Sequence, residues 1–330
     1  MILFFARPVM QYSPMKKILQ VFLSALMVAC LSVACAEKVP VDEVPPHIEP
    51  AEDPSVPELN ILFIGNSFTM DAVTHLPGLV SAAGIKKVHM IHMYYGGRLV
   101  QQYNSGWETS ADYTGYECQP GDSGWRTFKG KTLAEVAASK EWDIVTIQEH
   151  TGNKCAWTWN ATQKSHFTQL MNKVRYSQKK EPKFYYILSQ AYQNNEKIGS
   201  GSRPSITWTE HTGMWNVLAA FGRNVMKDVP FDGIISTGAM LENLRTTSFN
   251  NELGLTRDGY HMDKGLACYG ASCTVFETLI SPVYDVRLDK NRYRSSSAGT
   301  PITDENAPVA LQAARLAIAN PYSIMDMSGR

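Results

Sequence analysis

The feature that most constrains this chain is an alternation between short apolar runs and amphipathic stretches. The runs are Leu59 to Ile64, Val88 to Tyr95, Ile144 to Gln148, Phe184 to Ser189 and Gly233 to Ser236. Several are continuous rather than alternating, the pattern of parallel strands covered on both faces. Between them, Phe167, Leu170, Met171 and Val174 keep helical spacing, as do Met214, Leu218, Phe221 and Val225. Gly265 to Ile280 and Pro308 to Ala319 complete the helices, with Asn306 or Ala307 near the last cap and Pro321 past its end. Strands alternating with helices predict a doubly wound α/β fold: a five-stranded, mostly parallel sheet with helices on both faces.

Ahead of this domain the sequence reads as an export signal. Met15-Lys16-Lys17 opens a basic start, the true one if the first fourteen residues are an upstream extension, and an apolar run follows from Ile18 to Ala34. The run ends Leu31-Ser32-Val33-Ala34-Cys35, similar to a bacterial lipoprotein signal in which Cys35 carries the lipid. Cys30 is a second candidate, and cleavage after Ala36 is the alternative. Residues 1–35 are thus expected to be a signal and 36–57 a tether, with six prolines and five acidic residues between Lys38 and Pro57. Residues 58–330 are expected to be one domain. The expected location is periplasmic or at the bacterial cell surface, with a membrane met only through the lipid.

Lysine plus arginine and aspartate plus glutamate both number 31, with no basic block, which argues against a nucleic-acid partner. A glycine- and aromatic-rich insertion occupies about 98–141, where only Leu133 to Ala138 reads as helix; such a long excursion is usually functional or mobile. Oxidising surroundings permit a Cys118–Cys155 disulfide, while Cys268 and Cys273 lie in an apolar helix and are expected as buried thiols.

Two stretches carry chemistry. Gly65-Asn66-Ser67 follows the first strand and enters a helix, so the Ser67 hydroxyl would stand on a rigid turn beside backbone N–H groups able to receive an oxyanion. Alternatively, Ser67 merely caps the helix. The second stretch, Asp258-Gly259-Tyr260-His261, puts a carboxylate and an imidazole three residues apart, where a buried Asp258 would accept the His261 Nδ1 proton and leave Nε2 for Ser67. A plain polar loop before a helix is the other reading.

A Gly-x-Ser turn after the first strand together with Asp-x-x-His before a late helix resembles the SGNH (GDSL-like) hydrolase superfamily. The likeness spans roughly residues 59 to 280 and is nearest to a bacterial branch reading Gly-Asn-Ser-Phe. It implies a flavodoxin-like three-layer sandwich, with Ser67 as nucleophile and Asp258 and His261 completing a triad. It also implies an oxyanion hole from the N–H groups of Ser67 and Gly97, with Gly96 the less favoured glycine. The superfamily's third block, usually Gly-x-Asn-Asp, is here Gln148-Glu149-His150, and the Gln148 amide is the expected last donor, with His150 or Asn153 as substitutes. Asn66, Gly96, Tyr95, His150, Trp157 and Trp159 are expected to line the substrate site, and Trp107 and Trp125 either join a sugar-stacking surface or pack the insertion.

The resemblance implies an exported esterase, removing short acyl groups such as O-acetyl from carbohydrates, without a cofactor. A lipase or lysophospholipase and a non-catalytic glycan-binding lipoprotein are the rivals. No metal is expected: His89 and His92 read as structural strand residues, and His75, His166 and His211 lack partners at ligand spacing.

Overall fold

The computed structural model describes residues 55–152, 157–198, 206–296 and 298–330. The expected export signal with Cys30 and Cys35, nearly all of the expected tether, Asn153 and Cys155 lie outside the described residues.

The apolar runs form β1 (Leu59–Gly65), β2 (Val88–Tyr94), β5 (Ile144–Gln148), β6 (Lys183–Ile187) and β9 (Gly233–Ile235). The insertion adds β3 (Thr114–Cys118) and β4 (Arg126–Lys129). The sheet order is β4-β3-β2-β1-β5-β6-β9, so it has seven strands rather than the five expected. The five apolar strands pair in parallel, while β3 and β4 are antiparallel additions beyond β2. Their alternation was hidden by glycine and aromatic residues. On β3, Gly115 faces Phe128 of β4 so closely that a Cβ would collide with the ring. A small residue opposite a large one is good cross-strand packing but poor sequence signal.

The register aligns the strand ends. Gly65 pairs with Tyr94, Ile64 with Ile147, and Gln148 with Ile187. The order reverses between β1 and β5, the switch point beside which open α/β sheets bind ligands.

The helices form two packed groups. One comprises α1 (Ser67–Val73), α2 (Leu76–Ala82), α7 (Thr237–Arg245), α8 (Leu266–Val275) and α10 (Ala307–Ala319). The other comprises α3 (Val100–Ser105), also unforeseen in the insertion, α4 (Leu133–Ala138), α5 (Ala161–Tyr176) and α6 (His211–Asp228). A small hairpin of β7 (Lys197–Ile198) and β8 (Ile206–Thr207) precedes α6. The expected helix from Gly265 is α8, which runs through a π turn at Phe276–Ile280 into α9 (Ser281–Tyr284). This stretch is long and apolar enough to cross a membrane, but 78% of it is buried among the other elements, and it serves as a core helix. Cys268 and Cys273 are free thiols buried in it, and Cys118 is a free buried thiol on β3.

Candidate active site

The turn leaving β1 is held from every side. Gly65 is required because a Cβ there would collide with Thr69 Oγ1. Its carbonyl accepts from His92 Nε2 at 3.0 Å; burial pushes His92 down to about 4, which keeps the ring neutral. Asn66, fully buried, caps α1 by accepting from Phe68 N at 3.0 Å and donates through Nδ2 to Arg98 O at 3.1 Å. Ser67 is therefore not the cap. It is the first helical residue and is half-buried.

The second stretch closes on itself. Thr256 bridges Met262, Arg257 N donates to His261 O at 3.0 Å, and Gly259 takes a φ of +94° that favours glycine. Asp258 Oδ1 accepts from His261 N at 2.8 Å and Tyr260 N at 3.3 Å, and Oδ2 from His261 Nδ1 at 2.7 Å. His261 Nε2 then lies 2.8 Å from Ser67 Oγ. With the Nδ1 proton donated to the carboxylate, Nε2 is left to accept from the hydroxyl. Partial burial would raise Asp258, but the hydrogen bonds from the His261 ring and backbone outweigh it and hold the carboxyl below its usual range. The expected burial of Asp258 is corrected: its side chain is 38% exposed, since so short a loop keeps it at the rim.

Three anchors were not foreseen. Gln190 Nε2 donates to Tyr260 O at 2.9 Å and Gln193 N to Gly259 O at 2.8 Å, tying the loop to the segment after β6. Asp71, one turn beyond Ser67, accepts from Arg257 Nη1 at 2.9 Å and Met262 N at 3.0 Å. Burial pushes Asp71 up to about 6, although Arg257 and His261 pull it down. The only sequence signal was an aspartate among otherwise buried positions of a short helix.

Gln148 does not present its amide to Ser67. Its Oε1 accepts from Asn66 N at 3.1 Å and Thr69 Oγ1 at 3.2 Å, and Nε2 donates to Glu149 O. The side chain is fully buried and braces the turn, because the backbone N–H of Asn66 needs an acceptor there. Gly97, exposed at φ +66°, faces the half-buried His150, whose ring atoms lie 3.8 Å from where a Gly97 Cβ would stand. Gly96 neighbours the Tyr94 hydroxyl in the same turn. Glu149, buried, accepts from His150 N at 2.8 Å and Val100 N at 3.4 Å, joining β5 to the start of α3.

The aromatic expectations divide. Trp159 is removed from the site: its Nε1 donates to Asp228 at 2.6 Å and its ring packs on Phe167 and Phe221 of α5 and α6. Trp157 donates to Thr151 O and packs edge-on against Trp208. Tyr95 lies under the Arg98 guanidinium at 3.9 Å, Trp107 is buried, and Trp125 donates to Val73 O. The rings around His261 are instead Phe68 at 5.5 Å and Tyr260 at 4.3 Å, with Tyr192 behind them against both and His150 against Phe68.

Three other histidines are engaged elsewhere. His75 bonds Tyr293 and Lys264 O, His89 bonds Glu117, and His211 bonds Glu242 at 2.5 Å. Among the described residues no group of three His, Cys, Asp or Glu side chains could hold a metal ion.

A hydroxyl, an imidazole and a carboxylate in hydrogen-bonded series at a helix start can carry out nucleophilic attack with proton transfer. No curated protein sequence matches the chain. Among solved structures it is similar to a DUF4886 family protein from Bacteroides uniformis, at 22% identity and a TM-score of 0.69, covering 82% of this chain and 98% of that one. A GDSL-like lipase from Bacteroides thetaiotaomicron aligns over 68% of this chain and 87% of its own at 12% identity, with a TM-score of 0.34, too slight a likeness to bear on fold or function. Residues 60–317 match the family described as "Domain of unknown function (DUF4886)". The chain therefore belongs to the DUF4886 family.

Proposed function

We propose that the protein is a serine ester hydrolase with Ser67 as nucleophile, His261 as general base and acid, and Asp258 as the carboxylate that orients His261. The observation that carries this reading is the hydrogen-bonded series Ser67 Oγ, His261 Nε2, His261 Nδ1, Asp258 Oδ2, at 2.8 and 2.7 Å. His261 takes the Ser67 proton as Oγ bonds to the ester carbonyl carbon. The tetrahedral intermediate then expels the alcohol, which leaves with that proton. Water, deprotonated by His261, attacks the acyl-serine, releasing the acid and restoring the Ser67 hydroxyl.

The oxyanion is received by the N–H groups of Ser67 and Gly97. Ser67 N lies in the first turn of α1, where helical N–H groups lack intrahelical acceptors. With Gln148 turned into the β1 turn, the side-chain donor of this reading is His150, beside Gly97. Tyr260 lies against the His261 ring and His150 beside Gly97, and with the expected export signal of the sequence this supports O-acetyl groups of carbohydrates as the substrate class. Residues 1–57 support an exported, lipid-anchored form.

A fluorophosphonate probe should label the wild type at Ser67 and fail on Ser67→Ala, with nitrophenyl acetate cleaved faster than long-chain esters. Preference for long chains would point to a lipase. An unlabelled Ser67 with no ester cleavage would favour the non-catalytic glycan-binding reading, which the lack of a free amide at Gln148 supports.

A further inference from the structure

Ser67 and His261 are 194 positions apart in the chain, and the Asp71 side chain bonds the loop of His261 to the helix of Ser67. Asp71 follows Ser67 by four residues on α1, so both leave the same face of the helix, one turn apart. Its two oxygens grip the ends of the loop that carries Asp258 and His261. Oδ1 holds Arg257, which precedes Asp258, and Oδ2 holds the N–H of Met262, which follows His261. Arg257 Nη1 also donates to Met262 O, locking those ends to each other. Asp71 is buried at 3% exposure. A carboxylate taken out of water beside one guanidinium is weak support for a fold, because desolvation offsets the attraction. A costly buried charge next to a reactive pair points to a role in function.

We infer that Asp71 is the positioning residue of this site, clamping the 257–262 loop onto α1 and so setting the distance between His261 Nε2 and Ser67 Oγ. The inference rests on the hydrolase reading and deepens it. The titratable groups that face Asp71 are Arg257 and His261 from the loop, Tyr94 from β2 and Cys268 from α8, the last also near Asp263 and Lys264. Burial holds the Tyr94 hydroxyl and the Cys268 thiol above their usual ranges, so both stay neutral while Asp71 titrates.

The test compares wild type with Asp71→Asn, Arg257→Gln and the double variant. The readouts are kcat and KM on nitrophenyl acetate from pH 5 to 8.5, the melting temperature, and the low-field NMR resonance of the His261 Nδ1 proton. Asn keeps the volume and one acceptor but loses the charge. Asp71→Asn should lower kcat about 100-fold with KM nearly unchanged, as a misplaced reacting pair does. Its Tm at pH 7.5 should not fall, and its His261 resonance should broaden or shift. The acid limb of log kcat should become less steep, since the Asp71 carboxylate, pushed up to about 6 by burial, no longer takes up a proton there. The double variant should be no worse than the poorer single one. Wild-type kcat in Asp71→Asn, a loss that merely follows a lowered Tm, or additive losses would each overturn the clamp. A wild type that cleaves no ester sinks the hydrolase reading alone. The clamp is then judged by the resonance, which an unchanged signal in Asp71→Asn would refute.

Discussion

The Asp258 carboxylate accepts two hydrogen bonds from His261 and one from Tyr260 N, yet faces solvent on one side. Water screens its charge, so its contribution to the imidazolium is smaller than that of a buried triad carboxylate. Asp258→Asn should lower kcat about 10²–10³-fold, less than the about 10⁴-fold typical of a buried one, whereas His261→Ala should fall to background. Nitrophenyl acetate kinetics on both variants check the order. His150 offers a second test at this scale. If its ring donates to the oxyanion, His150→Ala should lose about 10²-fold in kcat with little change in KM, the usual size for one such donor. Equal activity would leave the oxyanion to backbone N–H groups only. Ser67, His261 and Asp258 were legible because each motif is local and its residue types have few other uses together. Asp71 and the true role of Gln148 were not, because an amide or carboxylate is assigned by what its oxygens face, and those partners are 79 to 191 positions away.

At the scale of elements, the β1 to α1 turn is a joint built from β2, β5 and the loop before α3. Gln148→Leu leaves the Asn66 N–H and the Thr69 hydroxyl buried without their acceptor, and each such loss costs about 1–3 kcal/mol. Chemical denaturation should show the variant less stable by about 2–6 kcal/mol, with ester cleavage reduced as the turn shifts. Unchanged stability would mean that another group replaces the amide. The continuous apolar runs betrayed β1, β2, β5, β6 and β9, most of them buried along much of their length. The β3–β4 pair carried no such mark: β4 is exposed along most of its length and β3 is only half covered. α3 was equally silent, being six residues long and lacking an acidic first turn.

For the whole molecule, Glu149 links β5 to the insertion and is buried, accepting from the backbone N–H groups of Val100 and His150. Burial pushes it up to about 7, against the pull of the His150 and Val100 N–H groups. A carboxyl raised in the fold binds its proton more tightly folded than unfolded. Its ionisation therefore weakens the fold fully above about pH 7, and the penalty fades as pH falls toward its ordinary value. Glu149→Gln should accordingly melt higher than wild type at pH 8, with the gap closing by about pH 5; calorimetry across that range checks the sign. His92 works oppositely: lowered to about 4, it resists protonation in the fold, so wild-type stability carries an opposing loss as pH falls from the ordinary histidine range.

The order of apolar runs determined by itself that the chain forms a parallel α/β sheet. The local pairing of Asp258 with His261 and the Gly-Asn-Ser turn marked the residues proposed to react. Both are properties of neighbours along the chain, which periodicity and spacing report. Only the tertiary structure decided that the sheet grows to seven strands, that Gln148 faces inward, that Trp159 belongs to the packing of α5 and α6, and that Asp71 holds the two halves together. Each of those depends on which distant backbone N–H or side chain arrives within hydrogen-bond or van der Waals reach, and that is set by sheet order and register rather than by composition.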